Sequence, residues 1–185
     1  MVEFSVYKTI KKIKEDESGF TLLELLLVVG VGAILLLGGI GTYNLVSEGN
    51  KVNSVNRIIA QVKNKVHILY NSQPNYGGNN EDITEALANA GAFPNSMVDG
   101  AGDVSNPWGG NIRIISRVQR FDIRFLNLPE AACIQLARLD LSGDPDFFAT
   151  FINANNMGQG IIPTIVDADA QCNDNNNNRI FWRFE

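Results

Sequence analysis

Glu24 is the residue whose chemistry most needs explaining, because it is the only charged side chain between Phe20 and Ile40. Around it run Leu22-Leu23, Leu25-Leu26-Leu27-Val28-Val29 and, further on, Ile34-Leu35-Leu36-Leu37. A carboxylate in such a setting costs at least about 2.5 kcal/mol on insertion scales, so it implies a partner or a task. Cutting the chain between Gly19 and Phe20 would free an α-amino group four residues from Glu24, at the mouth of the same segment. Within one helix that pairing is awkward. Between copies offset along a common axis, the amine of one Phe20 can meet Glu24 of the next.

The element that must carry this carboxylate is a helix. Phe20 to Ile40 is 21 residues, about 31 Å of α-helix, which matches a bilayer and exceeds the apolar core of an ordinary cleavable signal. The alternative, a secretory signal ending at Gly38-Gly39-Ile40-Gly41, also leaves the acid unexplained. Past Tyr43 the helical pattern continues: Val52, Val55, Ile59, Val62, Val66 and Leu69 recur at spacings of three and four, an amphipathic stripe. No proline interrupts Phe20 to Gln73. A continuous helix from Phe20 to Tyr70 would be about 77 Å long. Its weakest stretch is the glycine cluster Gly38, Gly39 and Gly41, and His67 reads as an ordinary polar-face residue.

Beyond Tyr70 there is room for one modest domain. Pro74 to Asn80 ends the long helix. Asp82, Glu85 and Gly91 predict a short helix with a capping box and a glycine stop. Asp99 to Gly110 reads as a loop, with Trp108 as a core anchor. Alternating residues predict strands at Ile112–Ile114, Phe121–Phe125, Phe147–Ile152, Ile161–Val166 and Arg179–Glu185, with a helix after Pro129 carrying Cys133, Leu136 and Leu139. The expected fold class is α+β: a long helix packed on an antiparallel sheet of four or five strands.

The remaining reactive side chains are few. Cys133 and Cys172 are the only cysteines, and both follow the apolar segment, which suits a disulfide in an extracytoplasmic domain, two separate buried thiols being the alternative. Asp167, Asp169 and Asp174 sit among amides like weak calcium ligands, but a helix-loop-helix calcium loop would want glycine at Cys172 and glutamate at Asn178. No metal and no cofactor is called for. A nucleophile would need a base, and His67 is the only histidine, on a helix that looks like scaffold, so an enzyme is not expected. Asp144 and Asp146 flank Pro145 as turn residues. Removing residues 1–19 leaves the net charge at −5, which argues against nucleic acid as the main partner.

The run Gly19-Phe20-Thr21-Leu22-Leu23-Glu24 resembles the processing site of type IV pilins and related secretion pseudopilins. Asn106-Pro107-Trp108-Gly109-Gly110 resembles their turn into the sheet, and Leu128 to Ala137 resembles the cysteine-bearing helix of type IVb pilins. The resemblance implies a cytoplasmic leader over residues 1–19, a side consistent with Lys8, Lys11, Lys12 and Lys14 although Glu15, Asp16 and Glu17 dilute that signal. It implies cleavage between Gly19 and Phe20 by a prepilin peptidase that also N-methylates Phe20. A transmembrane and assembly helix would follow over 20–43, an amphipathic half over 44–73, and a globular head over 74–185 stapled by Cys133 and Cys172. Such a chain is a structural subunit. It would wait in a bacterial inner membrane, engage the pilus assembly machinery, and polymerise with itself into an extracellular fibre that can touch host surfaces or other cells. A minor pilin or tip adhesin, and a type II secretion pseudopilin, are the alternatives.

Overall fold

The computed structural model describes residues 20–185, with the side chains of 38–45 left aside; Gly19 and the rest of the expected leader lie outside the described residues. The first element, α1, is a helix over Leu22–Tyr70 of 49 residues. It passes through Gly38, Gly39 and Gly41 without a break. The chain divides into two compact units between Val46 and Ser47.

In the second unit the stripe on α1 is buried much as its spacing requires: Val55, Ile59, Val62 and Val66 are all at 3% exposure or less. Two positions differ from the expected stripe. Ile58 is buried, whereas Leu69 near the helix end is exposed, because the chain turns away at Gln73, whose N–H bonds the Tyr70 carbonyl.

After α1 comes a short helix α2, Thr84–Asn89. Its start corrects the expected capping box. Ile83 holds the N-cap position, while Asp82 accepts the Thr84 N–H at 2.9 Å and also the Thr84 hydroxyl. Its stop matches expectation: Gly91 has φ +76°, its N–H bonds the Ala88 carbonyl, and the Ala92 N–H bonds that of Leu87, the paired closure in which a left-handed residue is required.

Six strands then form one antiparallel sheet: β1 Val104–Ser105, β2 Asn111–Ser116, β3 Phe121–Leu128, β4 Phe147–Ile152, β5 Asn155–Gln159 and β6 Asn178–Phe184. The spatial order is β1-β2-β3-β6-β4-β5, so the C-terminal strand enters between β3 and β4. A helix α3, Glu130–Ala137, follows β3 with Pro129 at its N-cap.

The expected strand at Ile161–Val166 is not one. Thr164 instead starts helix α4, Ile165–Gln171, through a reciprocal capping box with Asp167, and that local pairing overrides the β preference of Ile161, Ile162, Ile165 and Val166. The fifth strand in the chain is the polar segment Asn155–Gln159, which pairs on β4 through its backbone. Polarity hid it.

Alternation sorts the sheet's side chains. Ile112, Ile114, Phe121, Ile123, Phe125, Ile180, Trp182 and Phe184 join α1, α2 and α3 in the main core. The opposite face carries Arg113, Asp122, Arg124, Arg183 and a small second cluster of Ala149, Phe151 and Phe181.

Candidate functional site

Among the described residues, the apolar side chains of the first unit, unlike those of the second, have nothing to pack on. Leu22, Leu23, Leu26, Val29, Ile34, Leu35, Leu36 and Leu37 are each more than 60% exposed, and they point in every direction around the helix. Fully burying one such side chain is worth about 1.5–3 kcal/mol, so this surface demands lipid or other protein. Among the described residues no helix is long and apolar enough to cross a membrane; the side chains of 38–45, which complete the expected span, are outside that description.

Phe20 precedes the helix and is exposed. The Glu24 N–H bonds Thr21 Oγ1 at 3.2 Å, an N-terminal cap that satisfies one free donor and fixes where the helix starts. The Glu24 side chain stands in the first turn, where the helix dipole favours an anion. The carboxylate and the residue expected to supply the amine thus sit at the same helix end.

The second unit is closed by three polar ties. Lys63 on α1 reaches the turn before β4, its Nζ 2.5 Å from Asp144 Oδ2 and 3.1 Å from Asp146 Oδ2. Burial pulls the ammonium down, but hydrogen bonds to Asp144 and Asp146 outweigh it and hold Lys63 above the usual lysine value. One turn later, His67 is half-buried rather than on a free polar face. Its Nε2 lies 3.4 Å from Asp146 Oδ2 and its ring meets Tyr76 and Phe121 edge-on.

The second tie surrounds Asp122 on β3, which is fully buried. Its Oδ1 is 2.7 Å from Arg183 Nε, and its Oδ2 is 3.0 Å from Arg117 Nε and 2.9 Å from Arg124 Nη2. Burial pushes the carboxyl up, but the hydrogen bonds from Arg183, Arg124 and Arg117 prevail and depress it. The register supplies the geometry: Asp122 lies opposite Arg183, and Arg124 opposite Phe181. The third tie is Asn178, also buried, which donates to the carbonyls of Leu128 at 3.2 Å and Asn173 at 2.6 Å and accepts from Asn153 at 3.0 Å and the Asn173 N–H at 2.7 Å.

Cys133 on α3 and Cys172 after α4 are bonded, with 5.9 Å between Cα atoms. Both are buried beside Ala132, Leu136 and Ala168. The Asn106–Gly110 turn is built around one amide: Asn106 Oδ1 accepts from the N–H groups of Trp108 and Gly110, and its Nδ2 donates to Leu126 at 2.8 Å. A Cβ on Gly110 would come within 2.0 Å of the Leu126 carbonyl oxygen. Trp108 is half-buried, donating from Nε1 to Glu48 at 2.9 Å.

The carboxylates considered for calcium do not converge. Asp167 is occupied by Thr164, and Asp169 and Asp174 are exposed. Among the described residues no three metal-ligating side chains gather. Asp122, Lys63 and Asn178 were not singled out by sequence reasoning. The signal for Asp122 was present, a single acid alternating with Arg113, Arg124 and Arg183 on outward strand positions, whereas nothing local links Lys63 to Asp144 across 81 residues.

Residues 48–184 match the family model described as PilS N terminal. The chain is a type IV pilin of the PilS family. Residues 16–40 match the prokaryotic N-terminal methylation motif, which covers Gly19, Phe20 and Glu24. The major structural subunits of bundle-forming pilus from Escherichia coli O111:H- and from strain E2348/69 are each 25% identical over 148 residues, 77% of this pilin and 75% of theirs. Its fold is that of a type IV b pilin from Salmonella typhi, with TM-score 0.54 at 20% identity over 72% of this chain and 97% of that one. TcpA, a type IV pilin from Vibrio cholerae El Tor, gives 0.51 at 14% identity, covering 72% and 98%. These relatives are structural pilins.

Proposed function

We propose that this pilin is the major subunit of a type IVb pilus. It is cleaved between Gly19 and Phe20, N-methylated at Phe20, held in a bacterial inner membrane, and then packed into an extracellular fibre. The observation that carries this reading is the run of exposed apolar side chains from Leu22 to Leu37 with Glu24 in its first turn. A helix apolar on all sides is stable only when surrounded. In a bundle of such helices each Glu24 can accept the Phe20 amine of a neighbour, so two charges that would each be costly alone neutralise one another, and one axial offset satisfies both. The contact is heterologous and non-closing, and such contacts make filaments. The head's main core, its disulfide and its polar ties all lie within Ser47–Glu185.

The test is Glu24→Ala in the producing cell. Cleavage at Phe20 is expected to continue while surface fibres disappear, since an unpaired amine then remains in the bundle. Fibres at wild-type abundance would refute the pairing. The methylation motif and the bundle-forming pilus relatives support the same assignment.

A further inference from the structure

The outward face of the sheet has charge and shape that its own residues leave incomplete. Three guanidiniums, Arg117, Arg124 and Arg183, share the single carboxylate of Asp122, so the cluster keeps a surplus of positive charge in a chain whose net charge is −5. Arg124 Nε is buried without a hydrogen-bond partner. Beneath these groups lies a flat aromatic base: Phe151 and Phe181 stack with centroids 4.4 Å apart, Arg183 sits 4.7 Å above Phe151, Arg124 5.0 Å above Phe181, and Arg120 3.7 Å above Phe148.

The other side of the head offers the complement. Helices α3 and α4 lie on the core side of the sheet, since Cys133, Leu136 and Ala168 pack with Ile180 and Trp182. There Ile161, Ile165 and Val166 are 54%, 57% and 72% exposed. The carboxylates of Glu130, Asp169 and Asp174 in the same region have no ion-pair partner among the described residues.

We propose that these two surfaces bind each other between copies of this chain: the α4 face of one head, apolar and acidic, docks on the arginine–aromatic sheet face of the next. The occupant is a second copy because one chain carries both halves, on opposite sides of its sheet, where neither can satisfy the other intramolecularly. A front-to-back contact of this kind repeats without closing. It also answers an electrostatic problem, because heads of like net charge repel unless opposite patches are placed against each other. The inference rests on the filament reading above and adds the head-to-head contact to it.

The test uses fibres of the full-length chain, sheared from cells and titrated with sodium chloride. Asp169→Lys with Asp174→Lys is expected to lower fibre yield about ten-fold and to shift subunit release to lower salt, and the reciprocal Arg120→Glu with Arg179→Glu, the latter exposed on β6 in alternation with Phe181 and Arg183 and neither holding Asp122, to do the same. Combining the two pairs should restore yield toward wild type. Val166→Asp, at an exposed site, tests the apolar half and should weaken fibres while leaving the melting temperature of the subunit unchanged. Unchanged yield and salt release in both Asp169→Lys/Asp174→Lys and Val166→Asp would overturn the contact, as would losses that the combined variant does not repair. Absence of fibres from the wild-type chain would instead overturn the assembly reading itself.

Discussion

The two units of this pilin handle apolar surface in opposite ways. From Ser47 onward, Val55, Val62, Trp182 and Phe184 are fully buried, and the buried amide of Asn178 among them donates to the Leu128 carbonyl. Before Val46, leucines and valines of the same kind stand in the open. Both stretches belong to one helix, α1, so helix propensity does not separate them. What separates them is the pattern. A stripe three and four residues apart leaves the opposite face polar and can be completed by one sheet, whereas an all-round apolar surface can be completed only by several neighbours. The C-terminal half of α1 encodes a monomer's core and the N-terminal half a polymer's.

If that contrast is right, damage to one half should leave the other intact. Leu26→Glu adds a second carboxylate to the open half with no amine to meet it. It should lower fibre yield on the order of a hundred-fold while the melting temperature of the subunit stays at the wild-type value; a lowered melting temperature would show that the open half supports the head. Asp122→Ala does the reverse. It leaves Arg117, Arg124 and Arg183 around an empty position and should cost about 3–5 kcal/mol, read by denaturant unfolding of the subunit.

Cys133→Ser removes a bridge between residues 39 apart in sequence and should cost about 4 kcal/mol on the loop-closure account, while reductant should no longer change the melting temperature of the variant. Smallest of these, Lys63→Ala unties α1 from the Asp144 turn and should cost about 1.5–3 kcal/mol, the range for hydrogen bonds to charged groups.

Acid sharpens the same comparison. The folded Asp122 carboxyl is depressed, so its contribution is fully present above the ordinary aspartate value of about 3.9 and is lost as pH falls below that through the folded value. Subunit unfolding followed against pH should show a loss of stability beginning near pH 4 that Asp122→Ala lacks. Lys63 is shifted upward, so its contribution is complete below the ordinary lysine value of about 10.4 and disappears as pH rises through the folded one. At neutral pH both ties are therefore whole.

Much of this was legible in the sequence because the signals were local. The spacing of Val55, Ile59, Val62 and Val66 set the buried stripe, and alternation through Phe121-Asp122-Ile123-Arg124-Phe125 set β3 and its two faces. The failures were also local signals, overruled. Ile161 to Val166 has the composition of a strand, yet the Thr164–Asp167 capping box makes a helix start there. Asn155 to Gln159 has the composition of a loop, yet β4 offers its backbone a partner. The ties that hold the head, Lys63 to Asp144 and Asn178 to Leu128, join residues far apart in the chain. No periodicity announces such pairs, because they exist only once the sheet has formed.

The central claim is that the open helix is an assembly element beginning at a newly made terminus. Mass spectrometry of subunits from sheared surface fibres tests it most directly. The expected polypeptide starts at an N-methylated Phe20, carries the Cys133–Cys172 bond and dominates the fibre mass. A chain that starts at Met1, or one recovered only as a free monomer, would contradict the account.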